Sequence, residues 1–277
     1  MTSILLVKTS SLGDVIHSLP ALTDAAAAIP GIRFDWVVEE SFVEVPAWHP
    51  AVDRVIPVAL RRWRKHPLQA RRSSEWAEFK SRIAERPYDA VIDAQGLLKS
   101  AWLTRYAKGP RFGLDRQSAR ESLAALFYHQ PIAVPRGQHA VERVRQLFSA
   151  ALGYAMPASL GDYGLDRQAL AGPPSGQPQV LFFHGTTWSS KHWPELYWRE
   201  LAEKLVEREI GVQLPWGNAE EKARAERIAE GLRRVQACVA VDTGLGHLAA
   251  ALDVPCLSLF GPTDSALTGA YGPSQVH

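Results

Sequence analysis

Cysteine is nearly missing from this chain of 277 residues: it has two, Cys238 and Cys256. Each sits among small or apolar residues in a strand-like stretch, which suits reduced thiols in a core and excludes a disulfide-stapled secreted scaffold. No apolar run approaches the roughly 20 residues needed to cross a bilayer. Met1, Thr2 and Ser3 lead straight into Ile4, Leu5, Leu6 and Val7 with no basic segment between, so no signal peptide is expected. Net charge is only +2, too little to imply a nucleic-acid partner. Metal signatures are missing too: there is no Cys cluster, no H-E-x-x-H, and no Asp-x-Asp of the kind that holds a divalent ion against a diphosphate. The loop after the first strand is not G-x-G-x-x-G and lacks G-K-[ST], so its pattern points to neither dinucleotide nor ATP binding. A G-x-S-x-G elbow is lacking as well, which removes support for a Ser-His-Asp hydrolase.

What is present is an ordinary globular composition, with one excess: nine Trp, more than packing alone requires. The length exceeds what one core comfortably fills, so two domains are expected. Short apolar runs at Ile4 to Val7, Phe34 to Val38, Val55 to Val58 and Ala90 to Ile92 alternate with amphipathic stretches, the rhythm of parallel βαβ units. Helical spacing relates Trp76, Phe79 and Ile83, and again Val141, Val144, Leu147 and Phe148, as core-facing stripes. Between Met156 and Pro178 Gly and Pro dominate, and a linker is expected there. The rhythm restarts at Val180 to Phe183, with helices expected at Pro194 to Glu207 and Ala219 to Leu232 and strands at Val212 to Leu214, Val239 to Val241 and Cys256 to Phe260. The expected division is a first α/β domain over 1–155, a linker over 156–178 and a second α/β domain over 179–277, both doubly wound.

Three strand-to-helix junctions could carry chemistry. Lys8-Thr9-Ser10-Ser11-Leu12-Gly13-Asp14 follows the first strand, at the carboxyl edge where open α/β sheets bind ligands. Asp14 there is either a helix cap or a catalytic carboxylate, and the cap is the commoner role. His184 to Pro194 follows the strand at Val180 and combines Thr186, Thr187 and Lys191, a set suited to a phosphate. Val241-Asp242-Thr243-Gly244 leads into a further helix containing His247, which is either a donor-site residue or a packed core histidine. Two such junctions in one domain favour a diphosphate over two coincidental caps. Separately, residues 54 to 72 hold seven Lys or Arg and no acid. Arg61-Arg62-Trp63-Arg64-Lys65 is dense enough for an anionic ligand, although a solvated basic face fits equally.

Long ordered strings connect these features to a known family. Val7 to His17, Phe34 to Glu40, Arg61 to Lys65, Asp89 to Ser100 with Asp93-Ala94-Gln95-Gly96, Lys191 to Pro194, Asp242 to Leu245 and Gly261 to Asp264 closely resemble the lipopolysaccharide heptosyltransferase I family, GT-B enzymes of glycosyltransferase family 9. The resemblance implies two Rossmann-like doubly wound domains facing an interdomain cleft. It implies an inverting, metal-independent transfer of L-glycero-D-manno-heptose from ADP-heptose to Kdo of Kdo-lipid A, without a cofactor. Asp14 matches the family's catalytic base, and Lys191 a catalytic and donor-binding position. Thr186, Thr187, Glu221, Asp242, Thr243, Gly244 and His247 match further donor-binding positions. Ser10, Gly13, Arg61, Arg62, Arg64, Lys65 and Arg120 match positions for the anionic acceptor. A cytoplasmic location with peripheral contact at the inner-membrane surface is implied as well.

Two departures from the family pattern are expected to matter. The helix from Ala219 passes almost directly into Ala237 to Asp242, where the family has a further strand and helix, so chain is expected to be missing after Gln236; the family's last helices also lie beyond His277. The second heptosyltransferase, which shares the donor, is the nearest rival, and the basic run with Asp93-Ala94-Gln95-Gly96 favours the first. A noncatalytic sugar-nucleotide-binding protein is the alternative of a different class, and it would have no need of a base at Asp14.

Overall fold

The computed structural model describes residues 2–170, 178–186, 189–216, 219–229, 238–241, 244–259 and 264–276. The chain divides into two compact units, Met1–Leu165 and Asp166–His277. Unit 1 contains strands β1 (Ser3–Val7), β2 (Arg33–Glu39), β3 (Val52–Val58), β4 (Ala90–Asp93), β5 (Arg111–Leu114) and β6 (Gln130–Ile132). Its helices are α1 (Leu12–Ile16), α2 (Leu19–Ala28), α3 (Glu44–Ala47), α4 (Leu60–Trp63), α5 (Pro67–Arg72), α6 (Ser74–Ala84), α7 (Leu98–Leu103) and α8 (Ala140–Leu152). The strands form one parallel sheet in the order β3-β2-β1-β4-β5-β6. Strand order reverses between β1 and β4, and the crevice outside the carboxyl ends at such a point is where doubly wound sheets bind ligands.

β1 shows why the sheet is parallel and central. Ile4, Leu5, Leu6 and Val7 are all fully buried, as a strand covered by helices on both faces must be. Leu5 and Val7 pack with Val37, Val91 and the α6 stripe of Trp76, Phe79 and Ile83. On the other face Phe34 of β2 meets Phe148 of α8, with ring centroids 6.0 Å apart. α6 begins with a true cap, Ser73 Oγ accepting the Trp76 N–H at 3.2 Å.

Residues 156–165, expected as linker from their Gly and Pro content, instead pack onto unit 1. Tyr163 is buried, and the Pro157 carbonyl accepts from Arg145 of α8 at 3.2 Å. Gly and Pro exclude regular elements there, but they do not prevent an irregular strand of chain from docking. β5 and β6 were not anticipated because each is three or four residues long and includes Gly113 or Pro131.

Unit 2 contains β7 (Gln179–Phe183), β8 (Gly211–Gln213), β9 (Cys238–Val241), β10 (Cys256–Leu259) and β11 (Gln275–Val276), with helices α9 (Arg167–Leu170), α10 (Glu195–Val206), α11 (Ala219–Ala229), α12 (Gly244–Ala251) and α13 (Ser265–Thr268). The sheet is again parallel, in the order β11-β10-β9-β7-β8, reversing between β7 and β9. β7 alternates: Val180 and Phe182 pack with Trp198 and Ile228, while Leu181 and Phe183 pack with Ala249 and Cys256. Cys256 is buried in this core. The junction around Gln236 and Ala237 lies outside the described residues. No helix among the described residues is long and apolar enough to cross a membrane.

α2 and α8 are locked by a buried ion pair. Arg145, 1 % exposed, donates through Nε to Asp24 Oδ2 at 2.6 Å and through Nη1 to Glu142 at 3.0 Å. Removing one partner of such a pair strands a buried charge, which costs more than the pair contributes. Arg145→Met is therefore expected to destabilise unit 1 by about 3–5 kcal/mol, read by chemical denaturation; a loss under about 1 kcal/mol would show that solvent reaches Asp24.

Candidate active site

Every unit 1 residue expected at a site lies just beyond the carboxyl end of a strand. The loop after β1 delivers Ser10, Gly13 and Asp14; the loop after β3 delivers the basic run; the loop after β5 delivers Arg120. The β1 and β4 loops flank the reversal of strand order, and they are joined by side chains.

Asp14 is the third residue of α1, and its Oδ2 accepts the backbone N–H of Ser11 at 2.9 Å and the Ser11 hydroxyl at 3.0 Å. That is the returning half of a capping box, so the capping role weighed for Asp14 exists. It is not the whole role. The other oxygen, Oδ1, faces the ammonium of Lys8 at 3.3 Å, and Lys8 in turn donates to the Ala94 carbonyl at 3.0 Å. The Lys8 side chain is 7 % exposed and that of Asp14 40 %. Burial opposes ionisation of Asp14, but Lys8, the Ser11 donors and nearby His17 outweigh it and bring the carboxyl down to about 2. At neutral pH the site therefore holds an ionised, partly open carboxylate.

The loop is suspended from β4. Gln95 Oε1 accepts the backbone N–H groups of Thr9 at 3.0 Å and Ser10 at 3.1 Å. Gln95 is held by Asp93, which is fully buried and accepts from the Gln95 N–H, the Gly96 N–H, the Ser100 hydroxyl and the Tyr128 hydroxyl at 2.7 to 3.3 Å. Gly96 adopts φ +65°, a left-handed conformation in which other residues are strained. Its carbonyl accepts the Glu121 N–H at 3.1 Å, which ties the exposed Arg120 to the same edge. No site role for Lys8, Asp93 or Gln95 was read from sequence, although Asp93-Ala94-Gln95-Gly96 marked the family resemblance and Lys8 directly follows a wholly apolar strand.

The basic run divides. The Arg61 N–H donates to Glu39, a carboxylate at the end of β2 whose pKa burial pushes up, and its guanidinium lies 5.1 Å from the Phe42 ring centroid. Arg62 pairs with Glu40 at 2.9 Å and Glu75 at 2.8 Å. Acids absent from the run itself are thus supplied by neighbouring elements, and Arg62 is largely neutralised. Arg64 and Lys65 are exposed and make no ion pair among the described residues.

In unit 2 the loop after β7 carries Thr186, whose carbonyl lies 3.0 Å from His192 Nε2. A carbonyl only accepts, so that nitrogen carries the proton, and Nδ1 faces Arg224 of α11 at 3.3 Å. Arg224 also donates to the Trp193 carbonyl at 2.6 Å. One turn earlier, Glu221 presses against Gly185 so closely that a Cβ there would sit 3.1 Å from its Oε1. Lys191 lies in the 3-10 turn that precedes α10. After the adjacent strand β9, Gly244 opens α12 and His247 is buried one turn on. Thr187, Asp242 and Thr243 lie outside the described residues. Of the remaining positions expected at the donor site, Thr186 and Lys191 follow β7 and Gly244 and His247 follow β9, the strands that flank the reversal in this sheet, while Glu221 follows the edge strand β8. Among the described residues no group of three or more His, Cys, Asp or Glu is arranged to hold a metal ion.

Two parallel, doubly wound units are the architecture of GT-B type glycosyltransferases, and the solved heptosyltransferases that this chain resembles place it in that class. The family model described as glycosyltransferase family 9 (heptosyltransferase) matches residues 76–237 and 232–277. The chain is 64 % identical to lipopolysaccharide heptosyltransferase 1 of Pseudomonas aeruginosa over 293 aligned positions, covering 99 % of this chain and 82 % of that one. Its fold matches the solved Escherichia coli heptosyltransferase WaaC with ADP, at TM-score 0.91 and 49 % identity over 99 % of this chain and 92 % of that one. The same enzyme with ADP-2-deoxy-2-fluoro heptose matches at 0.89 and 48 %, with the same coverage. The chain belongs to glycosyltransferase family 9, the heptosyltransferases.

Gln95→Ala removes the acceptor for two loop amides and leaves the fold of β4 intact. Loss of that registry is expected to lower the transfer rate by about tenfold to a hundredfold, with the donor KM within about twofold. Steady-state kinetics checks this, and an unchanged rate would mean that the loop holds Asp14 without Gln95.

Proposed function

We propose that this enzyme transfers L-glycero-D-manno-heptose from ADP-heptose to Kdo of Kdo-lipid A, with inversion, in assembly of the lipopolysaccharide inner core. The single observation that carries the reading is the Lys8–Asp14 pair at the sheet reversal of unit 1: an ionised carboxylate with one partly open side, on a loop held by Gln95. Identity to heptosyltransferase 1 proteins supports the choice of substrate pair, and the WaaC complexes support ADP-heptose as donor.

In this mechanism an acceptor hydroxyl attacks the anomeric carbon from the face opposite the departing ADP. The new C–O bond forms as the bond to the β-phosphate oxygen breaks, and its electron pair leaves with ADP. The hydroxyl proton passes to Asp14. A carboxylate with a pKa near 2 is a weak base towards a free alcohol. It suffices when transfer is late, because the hydroxyl becomes strongly acidic once its oxygen bonds to the sugar. Lys191 and Thr186, with Thr187 and the amides opening α12 at Gly244, hold the diphosphate and offset its growing charge. Glu221 and His247, with Asp242 and Thr243, complete the donor site. Arg61, Arg64, Lys65 and Arg120 meet the acceptor's anionic groups. Arg62, already paired, orders the run, and Ser10 and Gly13 shape the loop around the acceptor. No resident metal or cofactor is part of this reading, consistent with the lack of Asp-x-Asp. The reaction is assigned to the cytoplasmic face of the inner membrane, with peripheral contact there.

The test is an assay of purified protein with ADP-heptose and Kdo-lipid A, following ADP release, acceptor mass and the anomeric configuration of the product. Inverted product is expected, unaffected by EDTA. Asn at position 14 still caps α1 but accepts no proton, so kcat of Asp14→Asn should fall by about 10² to 10⁴. Near-normal kcat in a folded Asp14→Asn protein, or activity lost to EDTA and restored by Mg²⁺, contradicts the mechanism.

A further inference from the structure

The aromatic cluster behind the basic run encloses more space than packing needs. α4, α5, α6 and α7 surround an open cavity of about 530 Å³, within the range of small-molecule sites. Trp63, Trp76, Trp102 and Phe127 supply its walls. Trp76 and Trp102 are stacked 5.4 Å apart and 6° from parallel, with Trp63 edge-on to Trp76 at 5.3 Å. Such a wall is preformed and rigid. It also offers water few partners, so filling the cavity with solvent gains little.

The charged residues of the lining are all cations: Arg64, Arg71 and Lys99. Arg64 and Arg71 make no ion pair among the described residues. Leu98 lines the cavity and is exposed, and apolar exposure continues on the surrounding elements at Leu68 and Leu126. The cavity is also continuous with the acceptor end of unit 1: Arg64 belongs to the basic run, and α7, which carries Leu98 and Lys99, starts two residues after the Gly96 turn.

We propose that this pocket seats one acyl chain of the lipid-borne acceptor, with Arg64, Arg71 and Lys99 meeting the anionic groups where the chain joins its headgroup. An apolar wall with a purely cationic rim is complementary to an anionic amphiphile. It is not complementary to a neutral lipid, and an acidic helix would leave carboxylates against the tryptophans. The proposal rests on the acceptor assigned above. It goes beyond that reading by giving the enzyme a direct contact with hydrocarbon, so that the acyl part of the acceptor is bound and does not merely remain in the bilayer. Each methylene removed from water contributes about fourfold in affinity, so even a partly inserted chain outweighs several surface ion pairs.

Two variants alter the pocket away from the catalytic loop. Ala70→Phe fills it from α5, and Leu98→Glu places a carboxylate among its walls. KM is measured for Kdo-lipid A in mixed micelles and for the fully deacylated acceptor. Both variants should raise KM about tenfold or more for the acylated acceptor and leave KM for the deacylated acceptor and for ADP-heptose within about twofold. Separately, without donor, decyl phosphate and butyl phosphate are titrated below micelle formation against tryptophan fluorescence. Decyl phosphate should perturb the spectrum of the native protein and not that of Ala70→Phe, and butyl phosphate should perturb neither. Failure of native protein to turn over either acceptor counts against the assigned reaction, whereas intact turnover with equal KM changes for both acceptors overturns the pocket alone. Equal response to the two phosphates overturns it too. So does weakened sedimentation with anionic phospholipid vesicles at an unchanged KM ratio, which gives the cavity to bulk membrane lipid, and so does a concentration-dependent dimer abolished by the variants.

Discussion

The edge of unit 1 at which the proposed chemistry sits depends on a carboxylate that touches no solvent. Asp93 ends β4, the neighbour of the central strand, and its two oxygens face four donors. An unpaired carboxylate there would be costly, so the donors are constrained to meet it. Two of them are backbone amides of the turn that positions Gln95. Gln95 then holds the amides of Thr9 and Ser10, and the Ser11 donors hold Asp14. The loop that carries Asp14 is thus positioned by the sheet through a relay of hydrogen bonds, most of which satisfy backbone amides.

Electrostatics complete the arrangement. Lys8 lies nearly out of solvent, where an ammonium needs a counter-charge, and Asp14 supplies it from 3.3 Å. The same contact keeps Asp14 ionised and aims one oxygen inward, which leaves the partly exposed side of the carboxylate for a ligand. Capping and the proposed catalysis are not rival roles for this residue: the cap fixes the rotamer that the proposed chemistry would use. In the basic run the reverse holds, since Arg62 is occupied by Glu40 and Glu75 and gives the others a fixed helix turn from which to project.

Much of this was legible in the residues. The apolar runs located β1 to β4 and β7 to β10 to within a few residues, because strands buried on both faces read as continuous hydrophobic stretches, whereas the two-residue β11 left no such run. The spacing of Trp76, Phe79 and Ile83 located α6. The junction after β1 stood out because small residues and an acid follow an apolar strand. What could not be read is what depends on partners distant in the chain. Asp93 and Tyr128 are 35 residues apart, and Lys8 and Ala94 86 residues apart, and no local pattern encodes either contact. The docking of residues 156–165 was hidden for the same reason, as was the neutralisation of Arg62 by acids 13 and 22 residues away.

The claim on which the account turns is that Asp14 accepts the proton and that Lys8 sets its acidity. The pH dependence of kcat/KM for native protein and for Lys8→Met measures this most directly, since its acid limb reports the base in the free enzyme. Native protein should show no acid limb above about pH 3, because Asp14 stays ionised. Loss of the cation leaves burial to raise the carboxyl by about one to three units. The limb of Lys8→Met should therefore move up into the measurable range between about pH 3 and 5. Superimposable profiles for the two proteins, or a native acid limb near neutrality, would contradict the assignment.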